Sequence, residues 1–481
     1  MKKLEPTLVW NFFHDINQIP RPSKKEEKII AYLKSFSEKF QLETKVDAAG
    51  NVLICKKPTP GYENRKKIIL QAHMDMVCEK NSDTKFNFDT DPIQTYIDGD
   101  WVKAKGTTLG ADNGIGMSLM LAVLASENLK HPALECLFTV DEETGLTGAF
   151  ALDNKFLKGE VLINLDSEDD GEIFVGCAGG IDTTAELSYI PEKSIEGYFA
   201  FSVTVKGLTG GHSGDDIEKG RGNANKILNR YLWKLNQVMN VRLHKFDGGN
   251  LRNAIPREAT AIVSVPSSEK EPVRVLLNHY IAEMENELGS VEPKIQIILE
   301  SEELPEFSID KKTTDVLFNV LYACPHGVKA MSKEMPGLVE TSTNLASIKM
   351  MPNNKILITT SQRSSVDSEK YDIANQVEAV LTLAGATVTH GDGYPGWKPN
   401  LNSEILKTAQ ESHRKLFKSE PKVRAIHAGL ECGLFLEKYP HLDMISIGPQ
   451  MYGVHSPDER LSISSTQKCW KWLVEILSTA L

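Results

Sequence analysis

The chain has 481 residues, too many for one ordinary core, so two or three domains are expected. Hydrophobic residues make up 41% and charged residues 25%, the balance of a soluble globular protein, and the formal net charge of −11 argues against nucleic acid or an anionic membrane surface as partner. Seven cysteines are scattered and never form a CxxC pair, which fits reduced thiols in a cytoplasm and leaves His and carboxylates as the ligands of any bound metal.

The N-terminus carries two lysines with no apolar stretch behind them, so no signal peptide is expected, and no run of 18 apolar residues suggests a membrane span. Trp10, Phe12, Phe13 and Ile16 read as one face of a helix. Ile19-Pro20-Arg21-Pro22 breaks it, and Ser23 ahead of Glu26-Glu27 restarts a second one through Ile29, Ile30, Leu33, Phe36 and Phe40. Asp47 to Asn51 reads as a turn and Val52 to Ile54 as a short strand.

A strand over 67–72 then ends in His73 and Asp75. Residues two apart in a strand share a face, roughly 7 Å from each other, so an imidazole and a carboxylate are offered side by side. Asp98-Gly99-Asp100 marks a hairpin turn. The Gly-rich stretch 105–116 places Asp112 just before good helix formers from Met117 to Ala125, where an ordinary N-cap role is the first reading. Its glycine spacing matches neither phosphate-binding pattern.

An apolar strand from Leu134 to Val140 ends in Asp141-Glu142-Glu143, and another from Glu160 to Leu165 ends in Asp166. Neighbouring residues of an extended chain point opposite ways, so Glu142 and Glu143 can serve different tasks. Three strands in β-α-β alternation thus end in acidic residues, and in open α/β sheets ligands bind outside the carboxyl ends of strands.

From about residue 187 strands (198–206, 259–265, 294–299) interleave with helices (217–239, 272–288, 312–322). Val339 to Met350 and Lys355 to Gln362 flank Pro352-Asn353-Asn354 as a hairpin, and 371–383 reads as a helix. The fold class expected is α/β: a mixed-sheet α/β/α domain of residues 1–186 and 391–481, with an inserted α+β domain of residues 187–390. A last strand, 444–447, leads to Gly453-Val454-His455, and Ser464-Ser465 opens a closing amphipathic helix.

His73, Asp112, Glu142, Glu143, Asp166 and His455 line up as strand-end or loop residues of one domain, and two His and three carboxylates are what a pair of divalent metals bridged by one carboxylate needs. Here the sequence resembles the co-catalytic zinc exopeptidases of the aminoacylase, carboxypeptidase G and carnosinase group, over essentially the whole chain. The resemblance rests on His73-Met74-Asp75, Gly110-Ala111-Asp112-Asn113-Gly114, Asp141-Glu142-Glu143-Thr144-Gly145, Asp166 and Gly453-Val454-His455. Segments that look like the lid of that group are Gly210-Gly211-His212-Ser213-Gly214, residues 220–225 and His427-Ala428-Gly429-Leu430-Glu431-Cys432-Gly433.

The resemblance implies two divalent ions, zinc first, with cobalt or manganese also accepted by such ligands. One would sit on His73 and Asp166, the other on Glu143 and His455, with Asp112 bridging and a cis peptide bond after it. Glu142 would be the general base and Asp75 the acid that orients His73. His212, Asn253, Arg363 and the Gly429 backbone would contact substrate. Arg363 suits a carboxylate because its fork grips both oxygens. Glu431 is read as a receiver for a substrate amine and His427 as structural.

The activity implied is hydrolysis of unblocked dipeptides by a cytoplasmic monomer or homodimer. The alternatives are an N-acyl amino acid deacylase or carboxypeptidase on the same scaffold and, from another class, a binding protein that has lost catalysis.

Overall fold

The computed structural model describes residues 3–479, so Met1 and Lys2 of the N-terminal reading lie outside it. The chain forms two compact units. One comprises Met1–Cys177, Trp397–Ala425 and Leu430–Leu481, the other Ala178–Gly396 and Ile426–Gly429.

The first unit is built on an eight-stranded sheet. In spatial order its strands are Glu43–Val46, Val52–Lys56, Leu134–Thr139, Ile68–His73, Val161–Asn164, Asp443–Ser446, Glu172–Cys177 and Lys422–Ile426. The four central ones, 134–139, 68–73, 161–164 and 443–446, run parallel. Both faces of a parallel sheet are covered, and so Ile68–His73 and Leu134–Thr139 are buried at every residue.

The helix Ala111–Ala125 packs against strand 68–73 and against the N-terminal helix Thr7–Asn17. It is apolar almost all round and buried from Asn113 to Leu124, which is why its sequence shows no amphipathic stripe. The helices Glu404–Phe417 and Ile463–Thr479 pack on each other, where Trp472 donates its indole N–H to Ala409 O at 2.9 Å. The hairpin expected at Asp98-Gly99-Asp100 is present, Thr95–Asp98 pairing with Trp101–Ala104 in a four-stranded sheet that also takes in Arg460–Ser462.

The second unit has a nine-stranded antiparallel sheet, backed by the helices Ala224–Val238, Lys270–Leu288, Lys311–Ala323 and Asp367–Leu383. Its core joins Phe201, Val203, Tyr231, Leu232, Phe246 and Phe318. The expected helix 217–239 is shorter than read. A single 3-10 turn, Ile217–Lys219, stops at Gly220 in the left-handed region, and Asn223 then caps the true helix by accepting the Lys226 N–H at 3.2 Å.

The boundaries also differ from 187 and 390. The strand Gly179–Ser188 pairs along its length with Lys355–Ser364, which carries residues from 178 onward into the second unit. Tyr394 closes the same edge through paired backbone bonds with Gly180, and residues 426–429 join this unit as well. Among the described residues no helix is long and apolar enough to cross a membrane.

Candidate active site

Each acidic strand end of the first unit delivers a side chain to one place. His73 is the last residue of strand 68–73. Glu142 and Glu143 open a one-turn helix, Glu142–Gly145, just beyond strand 134–139. Asp166 follows strand 161–164 by two residues. His455 comes from the turn after Met451–Tyr452, at a left-handed φ of 61°.

Asp112 is not an N-cap. It lies inside the first turn of helix 111–125 with an extended ψ of 111°, while Gly110 occupies the cap position, and the Asp112–Asn113 peptide is cis. This break turns the Asp112 carboxylate out of the helix and between two imidazoles. Its Oδ1 is 2.9 Å from His73 Nε2 and its Oδ2 is 3.1 Å from His455 Nε2. His73 Nε2 also lies 3.4 Å from Asp166 Oδ1, and His455 Nε2 lies 3.1 Å from Glu143 Oε2.

The donors fall into two triads sharing Asp112: His73–Asp112–Asp166 and Asp112–Glu143–His455, each with ligand atoms within 4.8 Å of one another. Glu143 Oε1 is buried without a hydrogen-bond partner. Imidazole and carboxylate donors converging in this way, one buried oxygen unanswered, fit two divalent cations of the zinc, cobalt or manganese type. Glu142 also has an oxygen within that distance of donor atoms of His73 and Glu143.

The electrostatics are those of a crowded acidic cavity. Burial pushes Asp166 up to about 7, against the pull of His73. Glu142 is held well above the usual carboxylate range, first by burial and then by Asp166, Glu431 and Glu143 around it, although His73 opposes this. Burial would raise Asp112 too, but its hydrogen bonds to His455 and His73 win and bring it down. His455 is driven up to about 11 by its contacts with Asp112 and Glu143. Such displaced carboxyls and imidazoles mark a site that asks for positive charge.

Asp75 lies behind His73 and is fully buried. Its Oδ1 meets His73 Nδ1 at 3.2 Å and accepts the Glu142 N–H at 3.1 Å, while Oδ2 accepts Ser23 Oγ–H at 2.7 Å and the Glu143 N–H at 3.2 Å. Asn113 Nδ2 donates to Asp166 Oδ1 at 2.5 Å.

Three supporting residues escaped the sequence reading: Ser23, Arg21 and Glu459. Arg21, fully buried, donates to Met74 O (3.1 Å), Asp75 O (2.7 Å) and Gly110 O (2.5 Å). Glu459 accepts backbone N–H groups of the loop before Asp112. The available signals were an arginine between two prolines and an acid four residues past His455.

The remaining substrate candidates belong to the second unit. His212 sits on a two-residue strand paired with Ala254–Ile255, and Ser213 N–H donates to Asn253 O at 2.8 Å. His212 Nδ1 accepts the N–H groups of Gly214 and Asp215, each at 3.2 Å, which leaves its proton on Nε2. Burial and then Arg363 lower its pKa, so the ring is neutral at pH 7.

Arg363, on strand 355–364, is 7% exposed. Its Nη1 donates to Tyr394 Oη at 2.9 Å, Nη2 lies 3.5 Å from His212 Nε2, and Nε has no partner. No carboxylate pairs with it among the described residues, so it is not a surface salt bridge. Gly429 faces the Tyr394 ring, where a Cβ would come to 2.8 Å. His427 is buried and bonded to Ser342 Oγ at 2.7 Å.

The Glu431 carboxyl is enclosed in the first unit, with Oε2 accepting from Gln71 Nε2 (2.6 Å) and Thr139 Oγ1 (2.9 Å), and burial pushes it up to about 8. Its Oε1 is buried with no hydrogen-bond partner.

The family model described as "Peptidase family M20/M25/M40" matches residues 69–479. The chain is 45% identical over 477 residues, 99% of its length and 98% of the relative's, to the cytosol non-specific dipeptidase of Escherichia coli (strain K12). It superposes with a TM-score of 0.93 and 44% identity on the crystal structure of aminoacylhistidine dipeptidase from Vibrio alginolyticus, covering 100% of this chain and 98% of that one. A tripeptidase from Staphylococcus aureus shares the fold at a TM-score of 0.58 and 17% identity, covering 99% and 98% of the two chains.

Proposed function

The chain belongs to peptidase family M20/M25/M40, and from that premise we propose that it is a cytoplasmic metal-dependent dipeptidase that cleaves unblocked dipeptides, Xaa-His among them, with broad specificity. The observation that carries this reading is the shared carboxylate of Asp112, which meets His73 through one oxygen and His455 through the other. The 45% identity to a cytosolic non-specific dipeptidase over nearly the whole of both chains supports the same substrate class.

His73 and Asp166 would hold one cation, Glu143 and His455 the second, and Asp112 both. When bound, such a pair, zinc by preference, supplies Lewis acidity that acidifies water and polarises the peptide carbonyl. Glu142 would take the proton of the attacking water and return it to the leaving amine. Asp75 keeps His73 in the tautomer that offers Nε2 forward. His212, neutral and protonated on Nε2, would donate to the carbonyl oxygen as negative charge develops there. Arg363, a buried guanidinium with no carboxylate partner among the described residues, would bind the C-terminal carboxylate of the substrate, with Asn253 and the Gly429 backbone as further contacts.

The test is a metal analysis paired with a substrate panel. The reading expects two divalent ions per chain and turnover of free dipeptides that stops on chelation and returns on adding zinc, cobalt or manganese. Faster cleavage of N-acetylated dipeptides than of free ones would make it a deacylase or carboxypeptidase instead.

A further inference from the structure

Glu459 is 2% exposed, and its carboxylate is wrapped by the loop that leads into Asp112. Oε2 accepts the N–H groups of Leu109 (2.6 Å) and Gly110 (3.0 Å), and Oε1 accepts that of Ala111 (2.7 Å) and, at 3.4 Å, that of Asp112. Successive amide hydrogens pointing at one carboxylate are strong, directional partners for a buried charge. The same loop is gripped from its other side, where Gly110 O accepts from Arg21 Nη2 at 2.5 Å. Gly110 has φ 68°, and a Cβ there would run into Arg21 and Met76, so neither grip admits a side chain between them.

Glu459 is also tied to His455. The turn between them is short and internally bonded: Glu459 N–H to Ser456 O at 3.1 Å, Asp458 N–H to Ser456 Oγ at 3.3 Å, and Ser456 Oγ–H to Gly453 O at 2.6 Å. Two loops far apart in sequence, one carrying Asp112 and the other His455, therefore meet on one carboxylate. His73 and Asp166 do not depend on this contact, because they extend from paired strands of the central sheet.

We propose that Glu459 is a positioning residue that sets the affinity for the cation shared by Asp112, Glu143 and His455, and leaves the one at His73, Asp112 and Asp166 much less affected. This rests on the metal-pair reading above. Removing a group that orients a ligand typically costs 10–100-fold in metal affinity.

The experiment titrates zinc into chelator-stripped wild type, E459Q and E459D by calorimetry, with metal analysis of each protein after desalting. The amide of E459Q turns an N–H donor toward amide hydrogens, whereas E459D keeps the charge but falls a methylene short. Thermal melting of each apo protein reports folding, and E459D carries the test alone if E459Q does not fold. Wild type is expected to retain two zinc ions. The variants should retain one tightly and bind the second about 10–100-fold more weakly, more so in E459Q, with excess zinc raising the turnover of the variants and not of wild type. Two ions held as tightly in both variants as in wild type overturn this inference alone, as does equal weakening of both. A wild type that takes up no zinc overturns the metal-pair reading and this inference with it.

Discussion

Asp75 Oδ1 accepts the backbone N–H of Glu142 at 3.1 Å while lying 3.2 Å from His73 Nδ1. One buried carboxylate thus fixes both the His73 imidazole and the start of the turn from which the proposed base projects. Burial would raise Asp75, but His73, Ser23 and the Glu142 N–H stabilise the ionised form and hold it below the ordinary range.

Asp75→Asn replaces one acceptor oxygen by an amide that faces donors whichever way it flips. Zinc affinity is expected to fall about 10–100-fold with the fold intact by circular dichroism. An unchanged zinc isotherm would remove Asp75 from the site.

Glu142→Ala is expected to lower kcat by about 10²–10⁴-fold, while zinc analysis still finds two ions per chain. Near-normal turnover with both ions bound would assign the base elsewhere.

Arg363→Ala is expected to cost a free dipeptide roughly 10–100-fold in kcat/KM, the worth of charge-assisted hydrogen bonds. The matching dipeptide with a C-terminal amide should lose far less. Equal losses on the two substrates would sink the carboxylate clamp.

His427 gives a pH prediction outside the proposed metal ligands. Burial, then Arg363 and His212, push it down to about 3. The unfolded chain holds its histidines near 6.5, so the folded state refuses a proton that the unfolded state binds. Stability from this residue is whole above about pH 6.5 and is lost as pH falls toward 3. Between pH 6.5 and 5 the loss is about 2 kcal/mol. His427→Gln, compared with wild type as apo protein by urea unfolding at pH 7 and pH 5, should shed that pH-dependent difference. A difference that stays constant between the two pH values would contradict it.

The parts of the site legible in the sequence are those that end strands. His73, Glu142, Glu143 and Asp166 each follow an apolar run, and the sheet then places them together without further information. Asp112 was legible as a residue, and the resemblance gave the cis bond that follows it, but helix formers come next and nothing local marks the extended ψ inside the first turn. Arg21 and Glu459 were not legible because their partners are backbone groups, which leave no trace in residue identity, at separations of 53 and 350 residues. The burial of Glu431 was not legible either, because the partners of its Oε2, Gln71 and Thr139, lie about 300 residues or more away in sequence. The long insertion was visible as a change of pattern, whereas its edges were not, because Gly179–Ser188 and Tyr394 join it through long-range pairing.

The strand order of the first sheet has a consequence for synthesis on the ribosome. Asp443–Ser446 lies between Val161–Asn164 and Glu172–Cys177, yet it is translated about 270 residues after the latter. At 5–20 residues per second that interval is on the order of 15–50 s. Throughout it the strand that belongs between those two does not yet exist, and every residue of the second unit up to Gly396 is made before it. The last interior strand to arrive completes the sheet that carries His73 and Asp166, so a site whose first residues are made early is finished by a segment made near the end.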